Sequence, residues 1–97
     1  MHVAAIRYDL HLNECRSLKA KRAVVRPIID GLLRRHHVSA AEVDLHDQWQ
    51  RTIIGVSAVS GSYGHLCEIL DDCDRFVWSH PEIEVLAAER MWLDEEA

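Results

Sequence analysis

Two prolines, four glycines and one phenylalanine are few for 97 residues. So little turn-forming material leaves no room for a low-complexity segment. A chain that is 48% hydrophobic and 28% charged is a globular one. No apolar run approaches the ~20 residues that cross a bilayer as a helix, so no membrane partner is expected. No charged region leads into an apolar run after Met1, so no signal peptide is expected either. The three cysteines, Cys15, Cys67 and Cys73, are odd in number and lack Cys-x-x-Cys spacing. That pattern points to free thiols in a reducing cytoplasm. A Gly-rich phosphate loop and a Gly-x-Ser-x-Gly elbow are both missing. His65 and Cys67 would project to different sides of a helix, and adjacent His36 and His37 would diverge, so no zinc motif forms. No metal and no cofactor is expected. Cys15, beside Arg16 and just before a helix start, is where a thiolate would be favoured. A nucleophile there would need a base, for which His11 is the candidate, but the spacing crosses a strand-to-loop junction and promises nothing, and a chance loop cysteine is the simpler account. The chain therefore reads as a non-enzymatic protein.

Positive charge is scarce overall and crowded where it occurs. The formal net charge is −5. Yet residues 16–35 hold seven of the eleven Lys and Arg with one acid, Asp30, a local +6. Residues 60–97 carry ten acids against Arg75 and Arg90, a local −8. Such a dipolar chain offers one basic surface to an anion, or pairs with itself.

The elements follow from periodicity. Residues 3–12 alternate, with Ala4, Ile6, Tyr8, Leu10 and Leu12 on one side of a half-buried strand. Ser17 is placed to cap a helix running to about Arg35. Leu18, Val25, Ile28, Ile29, Leu32 and Leu33 form its apolar arc, and Lys21 falls inside that arc. Pro27 lies well inside the helix, where a kink or a loosened turn is expected. Residues 38–46 and about 49–59 form a hairpin through a short link near His46-Asp47-Gln48, with Thr52, Ile54, Val56 and Ala58 core-facing. A second helix spans about Tyr63–Ser79, with Leu66, Ile69, Leu70, Cys73 and Val77 as its stripe and Pro81 as its stop. The last strand covers Glu82–Leu93. Ile83, Val85 and Ala87 argue one register there and Leu86, Ala88 and Trp92 the other, so a bulge is expected. The order β-α-β-β-α-β over a single domain, residues 1–97, predicts a ferredoxin-like α+β sandwich: a four-stranded antiparallel sheet with both helices on one face.

Arg16-Ser17-Leu18-Lys19, Lys21-Arg22 and Val24-Val25-Arg26 carry a resemblance. So do Val38-Ser39, Ala41-Glu42-Val43, Asp47 with Trp49-Gln50-Arg51, Gly55-Val56, and Phe76 with His80-Pro81-Glu82. Together, over nearly the whole chain, they resemble the YlxP-like family of small bacterial proteins of undefined function. The resemblance implies a ferredoxin-like fold, a bacterial cytoplasm and, through gene neighbourhood, an association with translation and ribosome maturation. It supplies no catalytic residues. Gln48 and Pro27 depart from the family pattern.

Two surfaces are candidates for binding. Arg16, Lys19, Arg22 and Arg26 form a cationic ridge that can meet the phosphates of RNA or a ribosomal particle; its bland alternative is a solvated helix face. Trp49 with Arg51 is a second candidate, able to stack one base. The open sheet face is expected to carry Arg7, Asp9, His11, Glu42, Asp44, Trp49 and Arg51. RNA-recognition domains share this topology, but their aromatic strand motif is absent here. The competing expectation is a homodimer through that face, burying Trp49, or a protein-interaction module with no nucleic-acid contact.

Overall fold

A computed structural model describes residues 1–35 and 37–93. Its elements are β1 (His2–Leu12), α1 (Leu18–Arg35), β2 (Ser39–Asp44), β3 (Arg51–Ser60), α2 (Tyr63–Trp78) and β4 (Ile83–Leu93). The sheet order is β2-β3-β1-β4, and every neighbouring pair is antiparallel. This is the ferredoxin-like sandwich. Each helix crosses over one strand: α1 carries the chain from β1 past β3 to β2, and α2 carries it from β3 past β1 to β4.

The core lies between the sheet and the helices. Ala4, Ile6, Tyr8, Leu10 and Leu12 from β1 meet Ile54, Val56 and Ala58 from β3. Val25, Ile28 and Leu32 of α1 and the complete expected stripe of α2 close over them. Each apolar side chain removed from water here contributes roughly 1.5–3 kcal/mol, so the alternation in β1 and β3 largely dictates which face is covered. Leu33, at the edge of the α1 arc, is left exposed above a hollow that Val38 and Val59 also line. Ile53 is buried on the opposite face, outside that core cluster, beside its strand partners Asp9 and Asp44.

Ser17 caps α1 as the sequence predicts, and Ser62 caps α2 in the same way. The Ser17 hydroxyl accepts from the Ala20 amide at 3.0 Å, and Ser62 does the same for His65 at 3.3 Å. Pro27 faces solvent, and α1 is continuous through it. The Ala23 carbonyl that loses its helical donor there lies on the exposed side, where water can replace the bond. The helices approach each other at Gly31, where an added Cβ would overlap the Phe76 ring. That ring is held from two other sides, by the Arg35 guanidinium 4.7 Å above its centroid and by His80 edge-on at 4.7 Å.

β4 contains the expected bulge. Asp9 pairs with Ala87 and Leu10 with Val85, so Leu86 is the extra residue. Before it Ile83 and Val85 face the helices; after it Ala88, Arg90 and Trp92 do, since they pair with Tyr8, Ile6 and Ala4. Arg90 thereby reaches α2, bonding Asp71 at 2.8 Å and Asp74 at 2.7 Å, while the Tyr8 hydroxyl donates to Asp74 at 2.6 Å. Burial and the Asp74 hydrogen bond raise the Tyr8 phenol far above its ordinary range. Burial also pushes the Cys73 thiol up, to about 11.

Replacing Gly31 by Ala would ordinarily favour a helix by about 1 kcal/mol. Here overpacking against Phe76 is expected to win, destabilising the protein by roughly 1–2 kcal/mol in a urea melt. Relative to Phe76→Ala alone, Gly31→Ala should then become neutral or stabilising.

Candidate nucleic-acid interface

The basic helix is positioned by one of its own cations. Lys21 is only 3% exposed, in the apolar arc between α1 and the sheet edge. Its Nζ donates to the Leu45 carbonyl at 2.6 Å and the His46 carbonyl at 3.3 Å, and lies 2.9 Å from Glu42 Oε2. Thr52 donates to the same carboxylate oxygen at 2.5 Å. The side chain does not snorkel to water as its stem length would allow; its charge is satisfied inside the fold. Leu45 has φ 59°, a left-handed conformation that costs a non-glycine residue roughly 1–2 kcal/mol. In that conformation its carbonyl accepts from both Lys21 and the Gln48 amide. Gln50 adds a second tie, donating to the Cys15 carbonyl at 3.3 Å. The β2–β3 connection, residues 45–50, is therefore fastened to the start of α1 at both ends.

This arrangement corrects two expectations. Glu42 is not on the open sheet face. It pairs with Ile54, a core-facing residue of β3, so the register sends it to the helix side, where Lys21 waits. The hairpin link is not short: six residues separate Asp44 from Arg51. β3 begins at Arg51, so Trp49 sits in the connection, 53% exposed, and not on the sheet face.

The ridge stands beside the clamp. Arg22 and Arg26 project from the flank of α1 nearest β2 and, with His46, Asp47 and Ile29, line a groove of about 340 Å³. Its floor includes Lys21 and Glu42, which neutralise each other. Lys19 is exposed farther round the helix and Arg16 in the loop before it, both outside the groove. Among the described residues, carboxylates pair with Lys21, Arg51, Arg75, Arg90, His11 and His65, and with none of Arg16, Lys19, Arg22 or Arg26. The arrangement can hold an anion: two unpaired guanidinium groups one helical turn apart outweigh the single Asp47 carboxylate, with an imidazole across from them.

The second expected contact is divided. Arg51 lies on the open face and makes two hydrogen bonds to Asp9, at 2.9 and 2.7 Å. That pairing holds the Asp9 carboxyl below its ordinary range. Arg51 is thus occupied, and Trp49 belongs to the connection beside α1. His46, which the sequence reading passed over, lines the groove. The available signal was Lys21: a lysine in an apolar arc needs acceptors, and the nearby hairpin had to supply them.

Nucleophilic chemistry finds no support in the same region. Cys15 is buried, and that burial raises its thiol pKa above the ordinary value although Lys21 acts the other way. His11 is engaged by Asn13 at 2.6 Å and lies 3.9 Å from Glu84. Among the described residues, no group of three His, Cys, Asp or Glu is placed to hold a metal ion. No helix is long and apolar enough to cross a membrane.

The clamp should be visible in stability. Lys21→Met removes the cation facing Glu42 and the side-chain donor of the His46 carbonyl, leaving Glu42 with Thr52 and the Leu45 carbonyl with the Gln48 amide, and is expected to cost about 3 kcal/mol by urea denaturation. Glu42 carries a second signature. Burial raises its pKa, but hydrogen bonds from Thr52 and Lys21 outweigh that and hold it below 4.5. Its contribution is complete above pH 4.5 and is lost as pH falls through the lower folded value, because the unfolded chain takes up the proton first. Glu42→Gln should flatten the acid limb of stability against pH; an unaltered limb would rule out this assignment.

Comparison with known proteins supplies a family. Residues 3–90 match the family described as "Protein of unknown function (DUF503)". The "Uncharacterized protein YlxP" of Bacillus subtilis (strain 168) is 38% identical over 76 residues, which span 78% of this chain and 83% of that protein. A match over both helices and all but the end of the sheet, with a relative this similar, makes the chain a member of the DUF503 family.

Proposed function

We propose that the protein is a non-enzymatic RNA-contacting factor, and that the β2-side flank of α1 meets the phosphates of a ribosomal or ribosome-assembly particle. The observation that carries this reading is the set of four cations, Arg16, Lys19, Arg22 and Arg26, exposed and unpaired among the described residues of an acidic protein. An unpaired cation on an acid-rich chain gains little from its own molecule, so the interaction it is free to make is with an external anion. The clamp at Lys21 holds helix and connection rigid relative to each other, which limits the ordering cost of binding. Trp49, exposed in the same connection, supplies a face on which an unpaired base stacks. The acidic α2 keeps the rest of the molecule away from the polyanion and so orients the approach.

The expected behaviour is co-sedimentation with ribosomal particles at low salt and release at high salt. Three or four neutralised phosphates give a slope of log affinity against log salt of roughly −2 to −3.5. Arg22→Glu with Arg26→Glu should weaken binding at least ~10-fold, in line with losing two such contacts. The urea midpoint should be unchanged, because neither side chain is buried or paired. Unchanged affinity in that double variant removes the helix from the proposal. Trp49→Ala should weaken binding to single-stranded RNA by about 1–3 kcal/mol and leave binding to duplex RNA unaffected.

A further inference from the structure

The face of the sheet turned away from the helices is uncovered over most of its length, and it is mainly apolar around its central groove. Ala5 and Met91 face outward there, with Ala41 and Val43 of β2 and Ser57 of β3 around a groove of about 430 Å³. Gly55 forms its floor, with Val43 leaning over it so closely that a Cβ at 55 would stand 3.0 Å from the valine. Val59 and Leu93 extend the surface toward one end. Met91 is 50% exposed and Val59 58%. A two-layer domain has no use for so much apolar surface on its outer side.

We propose that a second copy of this chain covers it, giving a twofold dimer packed sheet to sheet. Size is one argument. Four strands at about 4.8 Å spacing and ten residues at about 3.3 Å each make a face of about 600 Å² in projection. A standard interface buries about 800 Å² on each partner, the same order as this face. Charge is the other argument. The groove is bordered by Arg7 and Glu89, opposite each other on β1 and β4. They make no ion pair with each other or with any other described residue. A cation and an anion side by side are self-complementary under a twofold axis lying in the interface plane: each Arg7 meets the second copy's Glu89. Asp44, exposed on β2, accepts from the Leu45 amide, and the remaining charges of this face are paired within the chain, Asp9 with Arg51 and Glu84 near His11. These pairs sit at the end away from Val59 and Leu93, where they form a polar rim. The helices stay on the outside, so each α1 ridge remains free to bind.

The test is the solution mass of the full chain, without nucleic acid, across a concentration series in the analytical ultracentrifuge. Twice the 11.1 kDa chain mass is expected. Val59→Lys with Met91→Lys should return the mass to one chain while the far-ultraviolet dichroism is unchanged. Arg7→Glu and Glu89→Arg should each weaken the dimer at least ~10-fold, and the double exchange should restore it. A single-chain mass for the wild type at ~100 μM, where a Kd of about 10 μM or tighter would leave most chains dimeric, overturns the proposal. So does a dimer that survives the two lysines, or a double exchange that stays monomeric. Arg22→Glu with Arg26→Glu lies on the opposite face and should leave the mass at two chains, so failure of the RNA reading and failure of this one are separate results.

Discussion

A buried ammonium group organises this molecule. Lys21 occupies a core position on α1 and is too costly to bury without acceptors. Its acceptors, Glu42, Leu45 and His46, come from the end of β2 and the connection that follows. Meeting that requirement fixes several things together. Glu42 must face inward, which agrees with the register of β2 on β3. Leu45 must hold a left-handed backbone. The connection must lie along the first turns of α1. The groove between Arg22, Arg26 and His46 exists because that loop cannot move away from the helix. A single charge removed from water thus gives the exposed charges around it a fixed frame.

The other edge of the sheet uses a different device for a related end. The bulge at Leu86 lets one strand present two apolar residues, then switch faces so that Arg90 meets two aspartates of α2. Unbulged, β4 would turn Glu89 and Met91 toward the helices and Arg90 outward, breaking the link to Asp71 and Asp74. The acids of α2 are in part consumed by that link. Lys21 apart, the exposed cations Lys19, Arg22 and Arg26 of α1 have no such counterpart among the described residues. The charge asymmetry of the chain therefore becomes a surface asymmetry: paired acid along one helix, unpaired base along the other.

Much of this was legible in advance. Strict alternation in β1 and β3 and the 3.6-residue stripe of α2 named their buried residues, because burial is dominated by apolar area. The two conflicting registers of β4 announced a bulge, since no unbroken strand satisfies both. The ridge residues were legible as cations at helical spacing. β2 was the weak point. Ser39-Ala40-Ala41-Glu42-Val43-Asp44 has hardly any apolar contrast between its faces, so periodicity does not choose a side, and Glu42 went to the wrong one. Trp49 was drawn into β3 because an aromatic beside a strand pattern reads as its continuation, whereas the tie from Gln50 to Cys15 keeps it in the connection.

Periodicity and capping in the chain decided the order of the elements, the inner face of the two central strands and the location of the positive charge. These depend on residues within a few positions of one another, which share an element whatever surrounds it. Tertiary contacts decided where Lys21 sends its charge, that Arg51 is spent on Asp9 while Arg22 and Arg26 are not, and that the apolar outer face gathers Val43, Met91 and Val59 from three strands. Those outcomes join residues 16 to 48 positions apart, and only the pairing of strands and the seating of α1 bring them within reach of each other.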